Sequence, residues 1–343
     1  MKKGLLQIIV LLACCIFIKK AAAQDIHFSQ FYFSPLSVNP ANTGTFSGNY
    51  RIVNNYKSQW NGFSDAFNTY FLGIDVALIE NIGIGFSLFN DKAGTSELSR
   101  FSSNLSLSYI LQVNDENYLI AGFQPGFGRA SINYDNLKWD NQYDGIQYDA
   151  SLPSREVNLI PAYSYFDLNA GLKWVFVNSD IESSTGIAMF HINKPQKSFD
   201  SKDPLDYKFV LHHESEFNLG YKALSGLPQI MLLKQGPHFE INVGGMLRYE
   251  LSVSNSRYNL QNRNEKGKGK NTGITTLSSN KKGNTIFAGC HYRYRDAVIP
   301  VVGFSYKQQI ILSVSYDINV SDLDLVSKRQ GGFEMALSYI GSF

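Results

Sequence analysis

Residues 239–251 read FEINVGGMLRYEL, and this stretch decides the fold class. Apolar residues alternate with mostly polar or small ones, which is the pattern of a strand with two unlike faces. The run is longer than the roughly 5–6 residues usual for strands of globular proteins. A strand that crosses a membrane in a barrel needs about 9–11 residues of such alternation. We therefore interpret the stretch as a transmembrane barrel strand.

The same alternation recurs along the chain, for example in 166–176, 312–320 and 333–339. Bacterial barrels have an even number of strands, and a closed barrel leaves no unpaired edge in lipid. The pattern predicts an all-β, transmembrane antiparallel barrel of about 14 strands, with 12 or 16 as alternatives. The predicted strands are 49–59, 67–79, 82–91, 97–111, 117–132, 165–178, 181–192, 207–221, 227–235, 237–253, 284–294, 297–307, 309–320 and 331–342.

The amino-acid composition disfavours some classes of function. Aromatic residues make up 14% of the chain, charged residues only 17%, and the net charge is +2. A nucleic-acid-binding protein would normally show a strong basic excess, so this class is disfavoured. No nucleophile and base stand at a recognisable spacing, and we expect neither an enzyme nor a cofactor. A catalytic site assembled in space remains open at this point, because sequence alone does not reveal one.

The first residues are typical of a secretory signal peptide. Lys2 and Lys3 precede an apolar run over 4–18, and Ala21–Ala23 fit a small-residue cleavage site. We expect a signal peptide over 1–23 that is cleaved after Ala23. The alternative is a lipoprotein signal ending at Cys14. Cleavage after Ala23 would leave Cys290 as the remaining cysteine, which excludes an intrachain disulfide.

Residues 24–48 differ from the strands that follow. Pro35 and Pro40 disfavour regular strand pairing, and an aromatic cluster of this segment needs to be covered. We predict a plug-like segment over 24–48 inside a barrel formed by 49–343; the alternative is a frayed periplasmic tail. The aromatic cluster consists of Phe28, Phe31, Tyr32 and Phe33.

The end of the chain and its longest loops suggest further roles. Phe333, Leu337, Tyr339 and Phe343 share one parity in the last strand, a pattern similar to an outer-membrane assembly signal. With a periplasmic N-terminus, strand parity places the 133–164 loop outside the cell and the basic 254–283 segment in the periplasm. That segment indicates a missed strand, a solvated loop or a docking arm.

Metal binding is not expected. His212 and His213 are adjacent on a predicted strand and therefore point to opposite faces, which does not make a two-His site. The acidic residues of the 133–164 loop could bind calcium, but they lack the alternating spacing of a calcium loop. A solvated aromatic loop is the favoured reading. The acidic residues are Asp135, Asp140, Asp144 and Asp149, and the aromatic ones are Trp139, Tyr143 and Tyr148.

The segment 24–60 also contains sequence motifs that resemble those of a known family. It resembles the start of the PorP/SprF family of type IX secretion system membrane proteins, found in gliding and secreting Bacteroidota. The likeness continues weakly to the last strands, through Tyr292-Arg293, Ser315-Tyr316-Asp317 and Phe333-Glu334. The matching residues of the first segment are Phe28, Ser29, Gln30, Asn39, Pro40, Ala41, Gly44, Arg51, Tyr56, Gln59 and Trp60.

The resemblance implies an integral outer-membrane protein that exports or anchors one secreted protein, such as a gliding adhesin, by binding its C-terminal sorting domain. Its partners would be that surface protein, other type IX secretion components and outer-membrane lipid. Trp139, Tyr143 and Tyr148 are our candidate partner-binding residues, since aromatic residues are common interface anchors. The alternative is a transporter of small hydrophobic molecules, because long-chain fatty acid transporters resemble this chain in their 14 strands and an N-terminal Asn-Pro-Ala plug.

Overall fold

The computed structural model describes residues 25–59, 67–79, 81–94, 97–134, 137–156, 161–196, 204–220, 223–251, 283–321 and 331–342. Four predictions fall wholly or largely outside these ranges: the signal peptide, the family residue Trp60, the terminal Phe343 and the basic 254–283 segment. In the described part of the chain, no helix is long and apolar enough to span a membrane.

In the part of the chain that the structure describes, fifteen β-segments follow the N-terminal segment. β13 and β14 are the two parts of one strand, interrupted at Asp317, so the segments make fourteen crossings. They are β1 Tyr50–Gln59, β2 Phe67–Ile79, β3 Ile82–Ala93, β4 Leu98–Gln112, β5 Asn117–Ser131, β6 Ala162–Val177, β7 Ile181–Phe190, β8 Lys208–Asn218, β9 Leu224–Gln235, β10 His238–Glu250, β11 Thr285–Arg293, β12 Ala297–Tyr306, β13 Ile310–Tyr316, β14 Ile318–Asn319 and β15 Gly332–Gly341.

The sheet closes on itself. Neighbouring strands pair antiparallel all the way round, and β1 pairs with β15 from Tyr50–Gly341 to Gln59–Gly332. The predicted barrel of about 14 strands is therefore confirmed. β9 begins three residues before its predicted start and continues through Pro228; its pairing with β8 is interrupted between Glu214–Gln229 and Phe217–Gly226, with the same register on both sides.

The two ends of the barrel differ. One end, called here the turn end, holds Tyr50, Gly341 and short links such as 178–180 and 307–309. The opposite end, called here the loop end, holds the long connections 132–161 and 191–207. The link from β10 to β11 is the exception, because it is long and lies at the turn end. Strand parity predicts that this end faces the periplasm, and residues 252–282 of the link lie outside the described part.

Polar residues are buried inside the barrel and apolar residues face out. In β15, Glu334 and Ser338 are buried, whereas Met335 and Leu337 are exposed. This is the reverse of a soluble sandwich, and it is the arrangement expected when the outer face meets lipid. The buried core therefore lies in the lumen, between the strands and the N-terminal segment.

Candidate functional site: the plugged lumen and the loop end

The N-terminal segment runs through the lumen from one end of the barrel to the other. It starts at the loop end, where the backbone N–H of Asp25 donates to Gln235 (2.9 Å). It reaches the turn end at Asn49, whose N–H donates to the carbonyl of Gly341 (2.8 Å). On the way it forms three short turns, 31–33, 35–38 and 40–42. Prolines open the last two, where the missing N–H is not needed.

The last strand holds the segment through one buried carboxylate. Glu334 accepts the backbone N–H groups of Ser29 (2.7 Å) and Gln30 (2.9 Å). It also accepts the side-chain amide of Asn55 in β1 (3.2 Å). Glu334 thus ties the segment to both strands of the β1–β15 seam.

Further charges surround this contact. Lys57 Nζ lies 3.4 Å from Asp317 and 4.0 Å from Glu334, and Arg293 Nη2 donates to Asp317 at 2.8 Å. The hydroxyl of Ser29 donates to Asp317 (2.8 Å). The side chains of all four charged residues are at most 5% exposed. Two cations and two anions balance, as buried charges require.

Asn39 makes the corresponding contact on the far side. Its Nδ2 donates to the carbonyls of Leu172 (3.1 Å) and Ile187 (3.2 Å), while its Oδ1 accepts the N–H of Ala41 (2.9 Å). A Cβ at Gly171 would stand 1.9 Å from Asn39 Oδ1. A glycine in a strand allows such an approach of another backbone.

A third contact closes the segment at the turn end. Gly44 has φ +68°, a conformation that favours glycine, and its N–H donates to Asp75 (2.8 Å). Arg51 binds both oxygens of Asp75, at 3.0 and 2.8 Å, and its Nη2 also donates to the carbonyl of Asn42 (3.2 Å). This bidentate pair fixes the turn that leads into β1.

At the loop end the segment begins in an ionic cluster. His191, which follows β7, contacts Asp25 through Nε2 (2.7 Å) and Asp167 through Nδ1 (3.0 Å). Lys208 lies 3.8 Å from Asp25. Burial opposes charge on both groups, but the opposite charges win. Burial raises the pKa of Asp25, and the charges of His191 and Lys208 bring it below its ordinary value. Burial lowers the pKa of His191, and Asp25 and Asp167 raise it to about 9.

A cavity of about 130 Å³ lies between the segment and the wall, below this cluster. Its volume is close to that of an engineered cavity of about 150 Å³ that binds benzene. Asp25, His191 and Lys208 line it together with aromatic rings, aliphatic side chains and further polar groups such as Asn104 and Gln124. Those rings belong to Phe28, Phe31, Phe71, Phe89, Phe127 and Phe190, among others.

The described part of the long loop, 137–156, has its own hydrogen-bonded scaffold. Gln142 is buried, its Nε2 donates to the carbonyl of Leu152 (3.1 Å), and its Oε1 accepts the N–H of Trp139 (3.1 Å). The rings of Tyr143 and Tyr148 pair at 5.6 Å. Ile146, between them in the chain, is 94% exposed. The loop thus presents an apolar tip on a braced base.

Two acidic residues of this loop, Asp144 and Asp149, serve its turns, and Asp135 lies outside the described residues. Asp144 accepts the N–H groups of Ile146 and Gln147, both at 2.8 Å, and backbone donors from Gln147 and Ile146 lower its pKa. The hydroxyl and N–H of Ser151 lower the pKa of Asp149 in the same way. Among the described residues, no group of three or more His, Cys, Asp or Glu is placed to hold a metal ion.

Comparison with known families decides the identity. The sequence model of the PorP/SprF type IX secretion system membrane proteins matches residues 20–339, nearly the whole chain. The chain belongs to the PorP/SprF family. The family and the closed barrel together place it in the outer membrane, as a barrel component of type IX secretion with other secretion components as partners. No curated protein sequence matches the chain at a significant level.

Several solved structures are similar to this PorP/SprF barrel at low identity and with TM-scores below 0.5. The toluene transporter TodX from Pseudomonas putida is 9% identical to this chain. The match covers 90% of this chain and 93% of the TodX chain, with a TM-score of 0.49. An outer-membrane channel from Pseudomonas putida F1 is 12% identical over 87% and 96%, with a TM-score of 0.40. A KdgM porin is 9% identical over 85% and 99%, with a TM-score of 0.39.

The residues that carried the PorP/SprF resemblance have different surroundings. Phe28, Ser29, Gln30, Asn39, Pro40 and Ala41 are buried in the lumen, and Gly44 and Arg51 form the contact at the turn end. Tyr56 lies on the outer face of β1, where its hydroxyl donates to Asn68 (2.8 Å). Gln59 ends β1.

The predicted assembly residues and loop residues are separate from this lumen network. Phe333, Leu337 and Tyr339 lie on the outer face of β15 and are 38–44% exposed. Trp139, Tyr143 and Tyr148 share the long loop at the loop end. The structure does not bring these two groups together.

Sequence reasoning missed the charged groups that hold the PorP/SprF segment. Lys57, Asp75 and Glu334 each lie at an inward position of a strand, and none received a role. A usable signal exists, because a charge at an inward position must find a partner there. The identity of that partner depends on barrel closure and is not visible in the spacing.

Proposed function

We propose that this barrel binds the C-terminal sorting domain of one secreted protein, such as a large gliding adhesin, and so exports or anchors it at the cell surface. The proposal includes an outward-facing loop end, cleavage of the leader after Ala23 and contact with outer-membrane lipid. The protein has no enzymatic part in this step. Its contribution is a rigid platform in the outer membrane.

The observation that carries the proposal is the braced loop over 137–156. Gln142 holds its base, and Tyr143 and Ile146 are exposed at its tip by 51% and 94%. An exposed apolar tip on a rigid base is a suitable interface anchor, because little conformational entropy is lost when a partner covers it.

The filled lumen supports a platform rather than an open pore. The N-terminal segment contacts strands on every side, through Glu334 at the seam and Asn39 at the far side. The segment, held by buried charges and amides, occupies space in the lumen that an open pore would need. The loop end is then the surface through which this barrel meets a folded partner.

The cavity of about 130 Å³ favours the second candidate, a transporter of small hydrophobic molecules. Its aromatic and aliphatic side chains, with polar groups between them, suit a small and mainly apolar molecule. The two candidates differ in the site that matters: the loop for the first, the cavity for the second.

The test uses a triple variant, Trp139→Ala, Tyr143→Ala and Tyr148→Ala, in the producing bacterium. We expect one surface protein to be released or lost while barrel abundance is unchanged, since each truncated anchor can cost ~2 kcal/mol or more. The measurement compares surface proteomes of wild type, variant and deletion strain. Tyr306→Ala is the matched control, because Tyr306 is 42% exposed at the opposite end.

Two results would contradict the proposal. One is an unchanged surface proteome in both the triple variant and the deletion strain. The other is impaired uptake of long-chain lipids in the deletion strain without loss of a surface protein, which would favour the transporter.

A further inference from the structure

The outer wall of the barrel carries a chain of four hydrogen-bonded polar side chains on β7 and β8. Thr185 Oγ1 lies 2.8 Å from His213 Nδ1, and Ser215 Oγ lies 3.0 Å from His213 Nε2. Ser215 Oγ also lies 3.0 Å from Ser183 Oγ. All four residues are partly exposed, and their neighbours at outward positions, Leu211 and Ile187, are apolar.

Strand geometry explains why these groups meet. His213 and Ser215 are two residues apart on β8 and so share its outer face. Thr185 pairs with His213 and Ser183 with Ser215 across the β7–β8 ladder. His212, the residue before His213 in β8, points inward, where its Nε2 lies 3.2 Å from Asn39.

The depth of the group along the barrel is informative. Trp174 and Phe176 of β6 are in register with Thr185 and Ser183, and Trp174 is 46% exposed on the outer face. The 178–180 turn follows β6 within a few residues. Trp at this height marks the interface between hydrocarbon and head groups, which is also the depth of the ester groups of a glycerophospholipid.

We propose that Ser215, His213 and Thr185 form a catalytic site that hydrolyses acyl esters of lipids in the adjoining leaflet. Ser215 is the nucleophile and His213 the general base, within the usual reach of each other. Thr185 is a positioning residue: it accepts the Nδ1 proton of His213, which leaves Nε2 to take a proton from Ser215. This role goes beyond secretion and differs from our expectation of a chain without catalysis.

The reaction balances without a cofactor. Ser215 Oγ attacks the ester carbonyl carbon and gives its proton to His213 Nε2. His213 passes that proton to the leaving alcohol as the ester C–O bond breaks, and the acyl group stays on Ser215. Water then attacks the acyl carbon, gives one proton through His213 back to Ser215, and releases the fatty acid.

One neighbouring group can stabilise the negative oxygen of the tetrahedral intermediate. The hydroxyl of Ser183 lies 3.0 Å from the nucleophile and can turn to donate to that oxygen.

The test treats the full-length protein, in outer-membrane vesicles, with a fluorescent fluorophosphonate and identifies the labelled residue by mass spectrometry. We expect labelling of Ser215, lost in Ser215→Ala and slowed roughly 10²–10⁴-fold in His213→Gln. Thr185→Val should slow labelling and shift its pH profile, and Thr185→Ser should restore both. Purified wild type, but not Ser215→Ala, should release fatty acid from phosphatidylethanolamine vesicles.

Ser103→Ala is the matched control, because Ser103 lies on the outer face of β4 in register with Leu88. It should label like wild type, and every variant should keep the heat-dependent gel shift of a folded barrel. The proposal is overturned if folded wild type is not labelled at Ser215. It is equally overturned if Ser215→Ala releases fatty acid as fast as wild type.

Discussion

Two walls of the barrel hold the N-terminal segment by different means. The seam wall, formed by β1 and β11–β15, uses charge: Glu334 and Asp317 face Lys57 and Arg293 around Ser29. The far wall, formed by β5–β8, uses shape. There, glycines let Asn39 and Ala41 approach the strand backbones.

The far wall shows this in the distances. A Cβ at Gly122 would stand 2.2 Å from the N atom of Ala41, and one at Gly171 1.9 Å from Asn39 Oδ1. In that wall a single amide side chain, Asn39, bridges two strands through the carbonyls of Leu172 and Ile187. No formal charge takes part in this contact.

The two walls should respond to different kinds of mutation. Removal of one buried charge leaves its partner unpaired in a low-dielectric site, which is costly. A neutral, close-packed contact tolerates small polar changes but not added volume. The seam wall should therefore be vulnerable to loss of a group, and the far wall to gain of one.

The largest effect is expected for Glu334→Ala. It removes three hydrogen bonds to Ser29, Gln30 and Asn55 and takes one of its two carboxylate partners from the buried Lys57. We expect a loss of about 3–5 kcal/mol in stability and a released segment. The measurements are the unfolding midpoint by heat-dependent gel shift and conductance in a planar bilayer.

Deletion of Asp25–Pro35 provides the conductance of a barrel without a seated segment. Glu334→Gln keeps an acceptor oxygen and the side-chain shape and should lie between wild type and Glu334→Ala. Wild-type conductance in a folded Glu334→Ala protein would show that the seam wall does not hold the segment.

Gly171→Ala tests the far wall, with a smaller expected effect. The new Cβ overlaps Asn39, and overpacking of this kind costs about 1–3 kcal/mol. Adding Asn39→Ala should recover part of the loss, because the colliding atoms are then gone, and a double-mutant cycle measures that coupling. Gly245→Ala is the control, since its Cβ would lie 3.1 Å from the carbonyl of Leu227, away from the segment.

If Gly171→Ala destabilises the protein equally with Asn39 and with Asn39→Ala, the collision with Asn39 is not the cause of its effect. In that case the far wall would respond to the alanine itself rather than to its collision with the segment.

The smallest effect is expected from pH, at the ionic cluster of the loop end. The raised pKa of His191, about 9, means that its contribution is complete below its ordinary pKa of about 6.5 and is lost as the pH rises through 9. The lowered pKa of Asp25 means that its contribution is present above about 4 and is lost in acid. The first residues of the segment should be held most firmly between these limits.

A spin label at Ile26→Cys, in a Cys290→Ser background, reports this directly. We expect its mobility to rise between pH 8 and pH 10 while the barrel remains folded. His191→Asn should give a mobile label at both values, because Asp25 then loses its closest cation. A label with equal mobility at pH 8 and pH 10 in the parent protein would rule out this cluster as a latch.

The barrel could be predicted from the sequence because its signal is local. Alternation in stretches such as 239–251 shows which residues share a face, and strand length shows that the faces meet lipid. The resemblance located the family through Ser29, Gln30 and Asn39, which proved to be buried contact residues of the lumen.

The contacts themselves could not be predicted, because they join distant parts of the chain. Ser29 and Glu334 are 305 positions apart and meet only when β1 pairs with β15. His213 and Ser215 are two residues apart, a spacing that does not by itself identify a catalytic pair, and Thr185, which completes the group, stands on another strand. The sequence pattern shows whether a strand residue faces inward or outward. It does not show which residue it contacts across the lumen or on the neighbouring strand.

The direction of the N-terminal segment constrains the order of folding. Asp25 lies at the loop end and Tyr50 at the turn end, so the polypeptide traverses the whole barrel before its first strand begins. Had the ring closed first, a charged tip would have to be threaded through its full height, past Lys57, Glu334 and Asp317. A sheet that curls around the segment avoids this passage. The segment would then serve as a template around which β1 and β15 pair.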